Sequence, residues 1–169
     1  MEEVVTWDAG KLKSTFGDPS YIVRDRLGEA LYWEGGSEEP TQVLEPDDFA
    51  RRFPVSGDPR LTPFDLIVIT GRSGVLSLYV RRSYEEPAQR IGFVGKRITA
   101  LRRIDIGNHL GEPDGKGWCG VRRREERYDW EFEHGAGPFP GFAKRYIVQV
   151  TFDGDSSIVS SVLVSIAED

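Results

Sequence analysis

The sequence predicts an α+β protein made of two related halves, residues 1–95 and 96–169, each with short helices packed on an antiparallel β-sheet. Three observations carry this expectation. Two apolar hairpins stand out, PFDLIVIT-GRSG-VLSLYVRR and RYIVQVTF-DGDSS-IVSSVLVSI, each with a short polar turn between strand-like runs. A near-identical phrase, FGDP at 16–19 and LGEP at 110–113, closes a helix-like segment ahead of each hairpin. Between phrase and hairpin, each half carries a strand-like segment with a tryptophan, Trp33 or Trp130.

Taken in order, TWDAGKLKSTFGDP starts a helix at Asp8, whose carboxylate can accept an orphan backbone N–H, and stops it at Gly17 before Pro19. Ala9, Leu12 and Phe16 then share one face. SYIVRDR and EALYWEG predict two strands joined around Leu27-Gly28, and SEEPTQVLEP predicts a loop. PDDFARRF predicts a helix beginning at Pro46 or Asp47, inserted in the first half only. A short strand is expected at RIGFVG.

In the second half ITALRRIDIGNHLG predicts a helix with Ile98, Leu101, Ile106 and Leu110 inward, and Gly107 is its weak point, by about 1 kcal/mol relative to alanine. GWCGVRRREERYDWEFEH predicts extended chain, with Tyr128, Trp130 and Phe132 on one face and Asp129, Glu131 and Glu133 on the other. GAGPFPGFA is a loop. One expected core holds Tyr128, Trp130, Phe132, Val148, Val150, Val162, Val164 and Ile166; the other holds Leu31, Trp33, Ile67, Ile69, Leu76 and Leu78.

The bulk numbers narrow the function classes. With 169 residues, 38% of them hydrophobic, and 4 Trp, 6 Tyr and 9 Phe, the chain can build a real core and does not read as disordered. No apolar run approaches the roughly 20 residues of a membrane span. The opening MEEVVTWDAGKLK lacks the basic and apolar regions of a secretory signal, and the lone Cys119 fits a reducing compartment, so a cytoplasmic location is expected. The net charge of −6 is uneven: residues 1–60 carry 7 basic and 13 acidic groups, 61–145 carry 15 and 11, and 146–169 carry 0 and 4. Overall acidity disfavours a nucleic-acid partner, whose phosphates call for a basic surface.

Candidate chemistry is sparse. A thiol nucleophile would need Cys119 beside His109 or His134, and nothing in the spacing brings them together. The same three residues lack metal-ligand spacing, and DGDSS, with Asp153 and Asp155, lacks the later Gly and Glu of a calcium loop. GEPDGK and GFVGK are too short for a phosphate loop. The pairs at 81–82 and 102–103 and the run RRREER from 122 could touch phosphate, but interleaved glutamates read as solvated strand edges. No catalytic residue, metal or cofactor is therefore assigned.

The order of a short helix ending in Leu-Gly-x-Pro, a Trp-bearing strand and the hairpin YIVQVTFDGDSSIVSSVLV resembles the SmpA/OmlA (BamE) fold, best over 98–169 and more weakly over 4–80. Doubled at this length, the layout is similar to the β-lactamase inhibitor protein family. The Gly-Met-Thr helix start of the SmpA/OmlA group is missing from both halves, although Asp8 stands where its capping Thr would be, and a single cysteine cannot supply the inhibitor's disulfides. The resemblance implies a protein-interaction module, an inhibitor or immunity-type protein being one form. On the residues themselves the expected binding elements are the acidic row Asp129, Glu131 and Glu133, suited to a basic protein partner, and the aromatic loop at Phe139 and Phe142. A small-ligand or enzymatic domain with a pocket between sheet and helices is the alternative.

Overall fold

The computed structural model describes residues 1–54, 63–119, 125–154 and 157–167. Asp155, the arginines at 122–124 and the tips of the loops around them lie outside the described residues. The fold is α+β: among the described residues, three short α-helices stand against a large, mostly antiparallel sheet.

Helix α1 (Ala9–Phe16) begins and ends as its sequence predicts. The Asp8 carboxylate accepts from the Lys11 N–H at 2.7 Å, and Gly17 closes the helix at φ 83°. Eight residues are too few to hold a helix in water alone, so packing must hold it. Leu12 is fully buried, and Phe16 stands edge-on to Trp33 at 6.2 Å.

Four strands follow as an antiparallel meander: β1 (Tyr21–Arg24), β2 (Gly28–Trp33), β4 (Leu66–Gly71) and β5 (Gly74–Arg81). The loop expected at 37–46 contains a short strand, β3 (Gln42–Leu44), paired parallel to β1. Three residues give no readable periodicity; they are pinned instead by Gln42 N–H donating to Ser20 O at 3.0 Å and Thr41 Oγ1 to Pro19 O at 2.6 Å. Helix α2 (Pro46–Arg52) comes next, with Pro46 in its first turn.

After a two-stranded ribbon, β6 (Gly92–Phe93) with β7 (Lys96–Arg97), the chain enters the second helical segment. It does not form one helix with a flaw at Gly107. A 3-10 turn at Ile98–Ala100 is separated from α3 (Arg103–Leu110) by an extended Leu101. The cause is tertiary: Arg102 makes a β-bridge to Ile158, and Arg103 N–H donates to Ser157 O at 2.8 Å. Asp105 then caps the helix by accepting the Arg102 N–H at 2.9 Å.

The stretch expected as one extended segment is two strands, β8 (Gly115–Cys119) and β9 (Glu125–Phe132), paired antiparallel. With β10 (Tyr146–Asp153) and β11 (Val159–Ile166) they form a second meander. All nine long-sheet strands run β3-β1-β2-β4-β5-β11-β10-β9-β8, joined at the centre where β5 meets β11 antiparallel, Val80 beside Val162.

One sheet face carries the core. Register places Ile22, Leu31, Val68, Leu78, Val164, Val148 and Trp130 in one transverse row and Trp33, Leu66, Val80, Val162, Val150 and Tyr128 in the next. Against them pack Val4, Val5, Leu12, Phe93, Ile98, Leu101, Ile106, Phe139 and Phe142. The two expected cores are thus one continuous cluster across the β5–β11 junction.

Two corrections follow from this packing. Ile67 and Ile69 are not core; their neighbours Leu66 and Val68 are fully buried, and Ile69 is 37% exposed. LIVI is apolar on both faces, so alternation cannot set its phase, and pairing with Leu31 and Trp33 sets it instead. Leu76, also expected in the core, is only partly buried, and Val75 is buried in its place beside a register shift at Ile69/Thr70.

Candidate protein-binding face

Among the described residues, the opposite face of the sheet has no helix over most of its width. Its outward side chains follow from the same registers. One row runs Tyr32, Ile67, Tyr79, Leu163, Gln149, Asp129; the next runs Ala30, Ile69, Ser77, Ser165, Ile147, Glu131. The first row is half-buried throughout. An antiparallel sheet with one solvated face normally shows polar residues there, so tyrosine, isoleucine and leucine in line make an unusually apolar strip.

Helix α2 covers the β1–β2 end of this face. Phe49 and Phe53 sit on Tyr21 at 6.3 and 5.0 Å, Phe49 lies 4.4 Å from Tyr32, and Phe64 completes the aromatic group. Arg52 lies over the Tyr21 ring at 5.1 Å.

Toward the centre, polar groups are paired internally. Asp65, 5% exposed, accepts from Arg81 Nε at 2.9 Å and from Ser83 Oγ at 3.0 Å. Thr151 Oγ1 bonds the hydroxyls of Ser160 and Ser161. A cleft of about 230 Å³ opens here, lined by Tyr79, Arg81, Arg82, Glu125, Asp153, Ser160 and Ser161. Burial pushes the Tyr79 phenol up to about 12, leaving it a neutral donor at the cleft wall.

The predicted site residues separate into two groups. Asp129 and Glu131 do lie on this face, and the exposed Glu133 follows just beyond the end of β9. The row is less acidic than its letters imply, because Arg127 Nε stands 3.6 Å from Asp129 Oδ2. Asp114, brought alongside by the β8–β9 pairing, adds a carboxylate that accepts the Glu131 N–H at 2.8 Å.

Phe139 and Phe142 are not surface groups: they are 0% and 2% exposed and belong to the core on the helix side. Phe139 stacks on Phe93 at 5.6 Å and its N–H donates to Tyr146 Oη at 2.9 Å; Phe142 stacks on Tyr146 at 5.1 Å. Tyr146 Oη in turn donates to Ala136 O at 2.6 Å, so the loop is folded over the sheet end around one buried phenol. The loop's glycines and prolines hid this, since they mark irregular chain without saying which way its aromatics turn.

The residues weighed for catalysis sit on separate elements: His109 on α3 with Nδ1 2.8 Å from Asp105 O, His134 in the turn after β9, and Cys119 at the end of β8. Among the described residues, no group of three His, Cys, Asp or Glu is placed to hold a metal ion. Among the same residues, no helix is long and apolar enough to cross a membrane. Between α3 and the sheet the open space is about 160 Å³, against the ~300 Å³ at which ligand cavities usually begin. A broader depression of about 850 Å³ lies on the outer side of α3, along Arg102, Ile104, Asn108 and Glu112.

The strip Tyr32-Ile67-Tyr79-Leu163 was missed by sequence reasoning. Its one signal was the double-sided apolar character of LIVIT and VLV, which a covered sheet would also produce. No protein family, curated protein or solved structure matches the chain.

Proposed function

We propose that this protein is a non-catalytic binder of another protein and that it binds through the helix-free sheet face. The observation that carries the reading is the apolar strip that runs from Tyr32, under α2, through Ile67, Tyr79 and Leu163, which have no helix over them among the described residues, to the flanking carboxylates of Asp129 and Glu131. Interfaces of this kind combine a central aromatic and aliphatic patch with a charged rim that fixes register and speeds encounter. The rim's carboxylates suit a partner with basic groups around an apolar centre; an inhibitor or immunity-type protein is a concrete form.

The reading also takes the chain as a tandem of two related units, 1–95 and 96–169, in the manner of the SmpA/OmlA and β-lactamase inhibitor layouts. Three features support it. Each unit runs helix then four-stranded meander. The two last strands pair antiparallel, as a two-fold relation between units requires. In each unit the tryptophan of the second strand donates to the carbonyl of the glycine that ends the helix. In such a tandem the two sheets join edge to edge, which gives a binding face wider than either unit provides.

The test is affinity capture from cells that make the protein. It compares wild type with Ile67→Asp/Leu163→Asp, with Asp129→Lys/Glu131→Lys, and with Ile104→Asp on the far side of the molecule. A protein held by wild type and by Ile104→Asp, and lost by both face variants, is the expected result. Equal recovery by all four proteins contradicts the assignment.

A further inference from the structure

The two edges of the nine-stranded sheet are finished differently. At one side the last strand is β3, three residues set between Pro40 and Pro46, a short edge of the kind that resists further pairing. At the other side the last strand is β8, which contains no proline and, among the described residues, has no strand on its outer side. Its sequence is Gly-Lys-Gly-Trp-Cys. Trp118 is 52% exposed and Lys116 is also exposed, and alternation sets both on the same face of the strand, opposite to Gly115 and Gly117. Lys116 Nζ already stands over the Tyr128 ring at 5.4 Å, so the cation sits in aromatic surroundings.

We infer that β8 is a self-association edge, and that its occupant is β8 of a second copy of this chain, antiparallel, with Gly117 on the two-fold axis. The argument is self-complementarity. In that register Lys116 lies directly opposite Trp118 of the second copy, and Trp118 opposite Lys116 of the second copy. The pairs are on the same face because cross-strand partners point the same way. Two symmetric cation–π contacts result, each within reach of the ring geometry such contacts need. On the other face Gly117 meets Gly117 of the second copy and each Gly115 meets a Cys119, so only small residues of β8 stand between the backbones, and the unpaired backbone groups of the edge gain partners. A Lys alone on an edge discourages pairing with a like-charged strand; opposite a tryptophan it selects this register instead. The dimer would continue both sheets into one, extending the helix-free face across the axis. A single-strand edge buries less than about 1,200 Å², so the association is weak.

Sedimentation velocity from about 10 µM to about 1 mM, with circular dichroism as the check on folding, tests the inference. Wild type should pass from monomer to dimer over that range. Trp118→Lys, which sets lysine against lysine, should stay monomeric throughout. The exchanged variant Lys116→Trp/Trp118→Lys restores an aromatic opposite a cation and should return the dimer to within about threefold of the wild-type constant. A wild-type monomer at the highest concentration overturns the inference. So does a Trp118→Lys protein that dimerises as wild type does, or a natively folded exchange variant that remains monomeric. Since Lys116 and Trp118 lie on the face opposite the proposed binding strip, partner capture by Trp118→Lys is expected to persist, which separates failure here from failure of the binding-face reading.

Discussion

Trp130 donates its indole N–H to the carbonyl oxygen of Gly111 at 3.2 Å, and Trp33 makes the same bond to Gly17 at the same distance. Each glycine ends a helix at positive φ, 83° for Gly17 and 73° for Gly111, a conformation that turns its carbonyl away from the helix ladder and leaves it needing a donor. The buried indole supplies that donor while its ring fills the space between helix and sheet. The phrase Gly-acid-Pro is therefore half of a two-part lock whose other half is a tryptophan 16 or 19 residues downstream.

Removing the indole N–H at either site should cost stability in the same way. Trp33→Phe and Trp130→Phe each delete one ring and orphan one carbonyl, and each should lower unfolding stability by about 1–3 kcal/mol, read from urea denaturation. Similar losses accord with two related units. A large loss at one site and none at the other would separate them.

The phase of β4 gives a sharper contrast. Leu66 is fully buried in the common core, whereas Ile69 is 37% exposed on the helix-free face. Leu66→Ala is expected to cost about 2–5 kcal/mol and Ile69→Ala well under that. Reversal of the order in thermal melts would mean that the strand is turned over.

How much of this was legible beforehand depended on whether the signal was local. Asp8 and Gly17 could be read because capping and left-handed stops are decided by the residue itself. Both hairpins and α2 followed from turn chemistry and from proline at a helix start. What failed needed knowledge of neighbours. The face of Ile67 is chosen by β2 across the ladder, the helix break at Leu101 by a bridge to Ile158, and the burial of Phe139 by the phenol of Tyr146. The acidic row was visible as alternation, but its partial neutralisation by Arg127 was not.

Tyr79 offers a titration. Its ordinary value of 10.0 is raised to about 12, chiefly because burial disfavours the phenolate. The folded state therefore holds its proton after the unfolded state has lost it. The contribution to stability is complete below about pH 10 and is lost as pH rises from about 10 toward about 12. Ultraviolet absorbance should show a tyrosine ionising near 12 that disappears in Tyr79→Phe. A titration of wild type with all six tyrosines near their ordinary value would contradict the burial of this side chain.

The central claim is that the helix-free face is the one a partner covers, and hydroxyl-radical footprinting of the captured complex measures it directly. Tyr32, Ile67, Tyr79 and Leu163 should lose reactivity on binding, while Ile104, Leu27 and Tyr84, all well exposed elsewhere, should keep theirs. Unchanged labelling of the four strip residues with protection of the other three would contradict the account.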